Sequence, residues 1–217
     1  MSNPALKVTF DNYLDALERG DRRRALAVVK QGVAAGCHIR DIYLYVLQPA
    51  MYEIGRLWEL NQLTVAQEHL ATAITQSVMA HFYADVFVRS PNGRTMLATC
   101  TGSEQHQLGI RMVADFFEME GWNVYFLGAN VPPGGVVEMV EERKADLVAI
   151  SITLPTHLAH LRAMIAALRC SSGSARAKIM VGGQPLYATG ETAASLGADL
   201  MPRDAREAIE LARSLLP

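Results

Sequence analysis

Glu104 and His106 stand two residues apart in the run TGSEQHQLG at 101–109. At that spacing a carboxylate can reach an imidazole. A carboxylate on one ring nitrogen fixes the tautomer of a histidine and makes the other nitrogen a better metal ligand. Gly109 follows where a helix should begin, and its missing side chain admits a bulky neighbour. Small residues recur further on, at Ser151-Ile-Thr153, at Gly182-Gly183 and in the run LGANVPP at 127–133. On residue types alone an ordinary reading stays open. A single loop histidine is commonly just a polar loop residue, and glycine is frequent in the turns of α/β proteins.

The elements that must hold these residues are legible in the apolar pattern. Runs of strand length lie at 95–100, 123–126, 147–152 and 178–181, with a short further run at Leu200-Met201. Segments of helical period separate them at 108–120, 136–144, 157–169 and 187–196, and a last helix starts near Asp204. Strands alternating with helices predict a parallel sheet covered on both faces. The expectation is a flavodoxin-like or Rossmann-like domain with five parallel strands. Such sheets bind ligands beyond the carboxyl ends of their strands, where the strand order reverses. Each of the loops singled out above follows a predicted strand.

Ahead of the sheet, from Pro4 to about Val88, the period is helical. Val8, Tyr13, Leu14 and Leu17 suggest the apolar face of a first helix. Asp21 and Gly36 bracket a second, a third covers 39–60, and Thr64 with Gln67 forms a capping box for a fourth. These predict a four-helix bundle over residues 1–90 and an α/β domain over 91–217, with RSPNGR at 89–94 as the linker. In the fourth helix Ala66, Leu70, Ala73, Ile74 and Ser77 share one face and are expected to pack in the bundle. Val65, Glu68, His69 and Thr72 share another, which is expected to face a ligand.

Composition narrows the function. The 217 residues carry a formal net charge of −2, which argues against nucleic acid as the main partner. No apolar run approaches the roughly 20 residues of a membrane span. The start, MSNPALKVTFDNYL, lacks the basic and apolar stretches of a secretory signal. Cys37, Cys100 and Cys170 are odd in number and far apart, so reduced thiols in a cytoplasmic protein are expected.

In order, E-x-H-x-x-G at 104–109, S-x-T at 151–153 and G-G at 182–183 resemble the cobalamin-binding signature D-x-H-x-x-G, S-x-L, G-G. The resemblance spans Arg94 to the C-terminus. It implies that His106 is the lower axial ligand to cobalt, with Glu104 as its hydrogen-bonding partner. Ser151, Thr153, Gly182 and Gly183 would line a slot for the nucleotide tail of the cofactor. Glu104 stands where the signature has Asp, and Thr153 where it has Leu.

The helical half adds Trp58, Val65, Glu68 and His69. Their spacing, W-x9-E-H, resembles the cap of light-sensing cobalamin regulators of the CarH type, where such residues surround an upper adenosyl group. That resemblance implies a stand-alone photoreceptor regulator of transcription rather than an enzyme. It would prefer adenosylcobalamin, signal to a regulatory protein partner, and be able to form a homo-oligomer. Two positions depart from that family. Glu59 replaces a histidine that captures cobalt after photolysis, and Gln105 replaces an arginine that supports assembly. No basic recognition helix is visible, so direct DNA binding is not expected. The second reading is a methyl-corrinoid carrier subunit of a methyltransferase system, holding methylcobalamin. The third is an α/β protein for some other ligand.

Overall fold

The structure, a computed structural model, describes residues 4–87 and 89–216. Val88, the expected end of the helical half, lies outside the described residues. The chain divides between residues 85 and 86 into two compact units. Among the described residues no helix is long and apolar enough to cross a membrane.

The first unit is helical. Helix α1 (Pro4–Glu18) buries Leu6, Thr9, Tyr13, Ala16 and Leu17. Val8, expected on that face, is exposed. Helix α2 (Arg22–Ala34) is capped by Asp21, whose side chain accepts from the Arg24 amide, and the chain leaves it through Gly36 at φ +90°. Gly32 lets α2 approach closely, since a Cβ there would meet Thr9 at 3.0 Å and Ile42 at 3.2 Å. The third helix is not uniform. It runs as α3 (Ile39–Ile42), a π-helical turn (Tyr43–Leu47) and α4 (Gln48–Glu59). Pro49 supplies the cause, because proline has no N–H to donate and its ring crowds the carbonyl one turn back. Asn61, left-handed at φ 56°, reverses the chain.

Helix α5 (Val65–His81) starts from the expected capping box of Thr64 and Gln67. Its packed face differs from expectation. Ala71, Ile74, Thr75, Val78 and Met79 are buried, while Ala66, Leu70, Ala73 and Ser77 are exposed. Apolar and polar residues are spread round this helix without one sharp apolar stripe, so its packing partners choose the buried face. Thr75 is drawn inward because it accepts from the buried Tyr13 hydroxyl at 3.0 Å.

The second unit is a parallel sheet with helices on its faces. Its strands are β1 (Thr95–Cys100), β2 (Asn123–Gly128), β3 (Leu147–Ser151) and β4 (Lys178–Gly182), in the order β2-β1-β3-β4. Met96 pairs with Leu147, and Leu147 with Lys178. The expected fifth strand is absent among the described residues. Leu200 makes a single bridge to Met180, and Pro202 follows too soon for a ladder to continue.

The helices are α6 (Leu108–Glu118), α7 (Pro133–Arg143), α8 (Leu158–Cys170), α9 (Gln184–Ala188), α10 (Ala193–Leu196) and α11 (Ala205–Leu215). The helix expected over 187–196 is broken into α9 and α10 at Gly190, which has φ +72°. One core layer joins Leu97, Val148, Ile150, Ile179 and Val181 of the sheet to Val136 and Val140 of α7 and to Leu161, Met164 and Leu168 of α8. Helix α6 packs against β1 and β2, with α11 beside it. The segment read as a linker is fastened to the end of α6. Arg89 pairs with Glu120 at 2.8 Å, and the Asn92 amide donates to the Gly121 carbonyl at 2.8 Å.

Candidate functional site

The strand order reverses at β1. From there the chain crosses to β2 on one side and later returns to β3 on the other. The loops after β1 and β3 therefore leave the sheet side by side, at the place where such sheets bind ligands. The β1 loop turns tightly. The Glu104 amide donates to the Thr101 carbonyl at 3.1 Å, and Ser103 takes a left-handed φ of 67°. That turn directs the Glu104 side chain under the loop, where it is 0% exposed.

Glu104 ties the two loops together. Its Oε1 accepts from the His106 amide at 3.0 Å and lies 2.5 Å from His106 Nδ1. Its Oε2 accepts from the amides of Thr153 at 2.8 Å and Leu154 at 3.2 Å, and lies 3.0 Å from His157 Nδ1. Burial alone would push this carboxyl up. The bonds from the His106 ring and amide, the Thr153 amide and His157 outweigh burial and hold it well below the usual carboxylate range. Glu104 is thus a fixed, buried anion. The His106 side chain beside it is 36% exposed. With Nδ1 turned to the carboxylate, a metal would be met by Nε2.

Other expected site residues surround this pair. Ser151 ends β3 half-buried, and its hydroxyl contacts Cys100 Sγ at 3.6 Å. Burial, opposed by that contact and reinforced by the Glu104 charge, pushes the Cys100 thiol up to about 11. Thr153 takes part through its backbone amide. Gly182 ends β4 and Gly183 follows it. A Cβ on Gly183 would fall 1.8 Å from the Ile152 carbonyl oxygen, and its φ is +135°. The fold itself therefore demands that glycine. Gly109 and Gly182 are different. A Cβ on Gly109 would meet nothing within 4 Å, and one on Gly182 only the Pro202 carbonyl at 4.0 Å.

Two residues of the site escaped sequence reasoning. His157, at the start of the helical segment expected over 157–169, has a side chain 15% exposed and turned to Glu104. The available signal was its place in the loop after β3. Thr101, the first residue after β1, is fully buried, and among the described residues its hydroxyl has no hydrogen-bond partner. Among the described residues no three His, Cys, Asp or Glu side chains converge to cage a metal ion.

In the helical unit, Glu68 is held by His69 Nδ1 at 2.5 Å and by the Thr72 hydroxyl at 2.9 Å. Trp58 is 37% exposed, and Val65 and His69 are exposed as well.

Residues 94–213 match the model of the B12 binding domain, and residues 9–83 match a second model of the same description. The chain belongs to the B12-binding-domain family. This B12-binding chain is 28% identical over 193 residues to the dimethylamine corrinoid protein of Methanosarcina barkeri, covering 87% of the chain and 82% of that relative. It is 27% identical over 220 residues to dimethylamine corrinoid protein 2 of Methanosarcina mazei, covering 100% and 95%. The Methanosarcina barkeri monomethylamine corrinoid protein shares its fold, with a TM-score of 0.86 at 21% identity over 97% of this chain and 99% of that one. A cobalamin-binding protein from Desulfitobacterium hafniense has a TM-score of 0.53 at 19% identity, covering 94% and 97%.

These relatives correct the expectation of a CarH-type photoreceptor and transcription regulator. The cap resemblance rests on four matched residues, Trp58, Val65, Glu68 and His69, whereas the match to methylamine corrinoid proteins runs the length of this B12-binding chain. The preference for adenosylcobalamin rested on that motif and falls with it.

Proposed function

We propose that this chain is the methyl-carrying corrinoid protein of a methyltransferase system, with cobalamin in its methyl form as the working state. The observation that carries the reading is the fixed Glu104–His106 pair at the sheet's switch point, in a chain related along its length to methylamine corrinoid proteins. The bound corrinoid supplies a cobalt that accepts a methyl group and gives it up.

The residues fit such a group. The orphaned hydroxyl of Thr101 offers a buried polar atom beside the slot, and Gly109 and Gly182 leave open space on its rim. His106 would present Nε2 to the metal. Glu104 would take the Nδ1 side of the ring and fix its orientation, leaving Nε2 for the metal. Ser151, Thr153, Gly182 and Gly183 would line the slot for the nucleotide tail, with Gly183 also required by the backbone around it. A carrier receives its group from one protein and delivers it to another, so the partners are expected to be methyltransferase proteins.

The test is reconstitution with methyl- and adenosylcobalamin in parallel, followed by incubation with a thiol acceptor and a corrinoid-dependent methyltransferase. Tighter binding of the methyl form and transfer of its methyl group are expected. Preference for the adenosyl form, with no transfer, would overturn the proposal.

A further inference from the structure

One feature of the site exceeds what holding a metal ligand requires. A carboxylate that only oriented His106 would need its Oε1 contacts. Glu104 also spends Oε2 on the neighbouring loop, where a second imidazole meets it. We propose that His157 is a positioning residue that divides the Glu104 carboxylate between two imidazoles and so sets how strongly His106 donates to the metal. The inference rests on the assignment of His106 as cobalt ligand.

The geometry separates holding the carboxylate from tuning it. All Oε1 contacts come from His106, at 3.0 Å from the amide and 2.5 Å from Nδ1. The Oε2 contacts come from the β3 loop. Two of these are backbone amides, Thr153 at 2.8 Å and Leu154 at 3.2 Å, which no side-chain substitution removes. Glu104 therefore stays in place without His157. What His157 contributes at 3.0 Å is a further donor that draws negative charge toward Oε2. Hydrogen bonds along a connected chain polarise one another. Charge drawn to Oε2 is withdrawn from Oε1, which weakens the pull on the His106 Nδ1 proton and makes Nε2 a weaker donor.

His157 is itself fixed. It closes a short helical turn, Pro155–His157, with its amide donating to the Leu154 carbonyl at 3.0 Å, and its ring centre is 6.0 Å from that of His160. The length of Glu104 belongs to the same arrangement. An aspartate would be one methylene shorter.

Weaker donation from below destabilises the higher oxidation states of the metal relative to the lowest. His157 thus raises the midpoint potential of the Co(II)/Co(I) couple and makes the reduced state easier to reach. The experiment compares His157→Leu, which removes the donor, with His157→Gln, which keeps an N–H donor, in protein loaded with cob(II)alamin. His157→Leu is expected to shift the midpoint to a more negative potential and to strengthen the nitrogen coupling in the Co(II) electron paramagnetic resonance spectrum. His157→Gln should lie near wild type. An unchanged potential and spectrum in His157→Leu would overturn the proposal, as would a positive shift with loss of the nitrogen coupling.

Should His157→Leu fail to fold, nitrogen-15 nuclear magnetic resonance of the wild-type apoprotein decides. Two histidine Nδ1–H protons in strong hydrogen bonds are expected at this site. Finding only one would refute the shared carboxylate. His106→Ala separates the two levels of inference. If that variant, with its histidines labelled with nitrogen-15, keeps the wild-type doublet coupling, the ligand assignment itself has failed.

Discussion

Glu104→Gln is the sharpest probe of how the site is built, because it changes one atom and removes one charge. In the wild type each carboxylate oxygen is surrounded by donors, with the His106 amide and ring on Oε1 and the Thr153 and Leu154 amides and His157 on Oε2. A glutamine must turn its NH2 toward one of these sets. Facing the β3 loop, it opposes two backbone N–H groups. Facing the β1 loop, it opposes the His106 amide. Either way buried donors lose their acceptor, at about 1–3 kcal/mol each. Some local adjustment is available, so a net loss of about 3 kcal/mol is expected. For a chain of this size that lowers the melting temperature by roughly 6–12 °C.

The pH dependence provides an internal control. The Glu104 carboxyl is held below its ordinary value of 4.5 in the folded state. Its contribution to stability is therefore present above that value and is lost as pH falls below it. The substitution should abolish this part of the acid destabilisation. Calorimetry of the apoproteins from pH 3 to 8 is the assay. A Glu104→Gln protein within about 0.5 kcal/mol of wild type at pH 7 would refute the reasoning, because differences of that size are ordinary for surface substitutions.

Two further outcomes follow. Gly183→Ala should cost the apoprotein at least about 2 kcal/mol, since its φ of +135° and the Ile152 carbonyl both exclude a side chain, whereas Gly109→Ala should leave apoprotein stability unchanged and weaken cobalamin binding. Melting curves and cobalamin titrations of both variants check this pair. Burial first, then the Asp115 charge, pushes the Glu118 carboxyl up to about 7 against the pull of Arg111. Its raised value means stability is fullest below pH 4.5 and falls as pH rises through about 7. Glu118→Gln should flatten that fall and, after allowance for partial solvent screening, gain about 1 kcal/mol at pH 8, as read by denaturant titration at several pH values.

What could be read from the sequence was mostly what is encoded over short distances. The caps at Asp21 and Thr64 depend on residues within one turn, and both form as the residue types dictate. The Glu104–His106 contact spans two positions and was legible for the same reason. Strand alternation with helices placed the loops at the correct end of the sheet. Features decided by distant partners were not legible. The packed stripe of α5 is set by Tyr13, which reaches Thr75 across 62 residues. His157 meets Glu104 across 53 residues, so its role appears only once β1 and β3 lie side by side. The run at Leu200-Met201 has strand composition, but Pro202 ends its pairing after one bridge. The helical-half motif was legible too. It pointed to a light-sensing regulator, and four matched positions carry less information than relatedness along the whole chain.

We propose that His106 Nε2 is the protein's ligand to a corrinoid cobalt. It is tested most directly by the electron paramagnetic resonance spectrum of the protein reconstituted with cob(II)alamin. The histidines are labelled with nitrogen-15, and His106→Ala is measured alongside. The account predicts that each cobalt line is split by one nitrogen as a doublet in the labelled protein and a triplet in the unlabelled one, and that the variant loses this splitting. A triplet that persists despite the label, or a doublet that survives in His106→Ala, would contradict it.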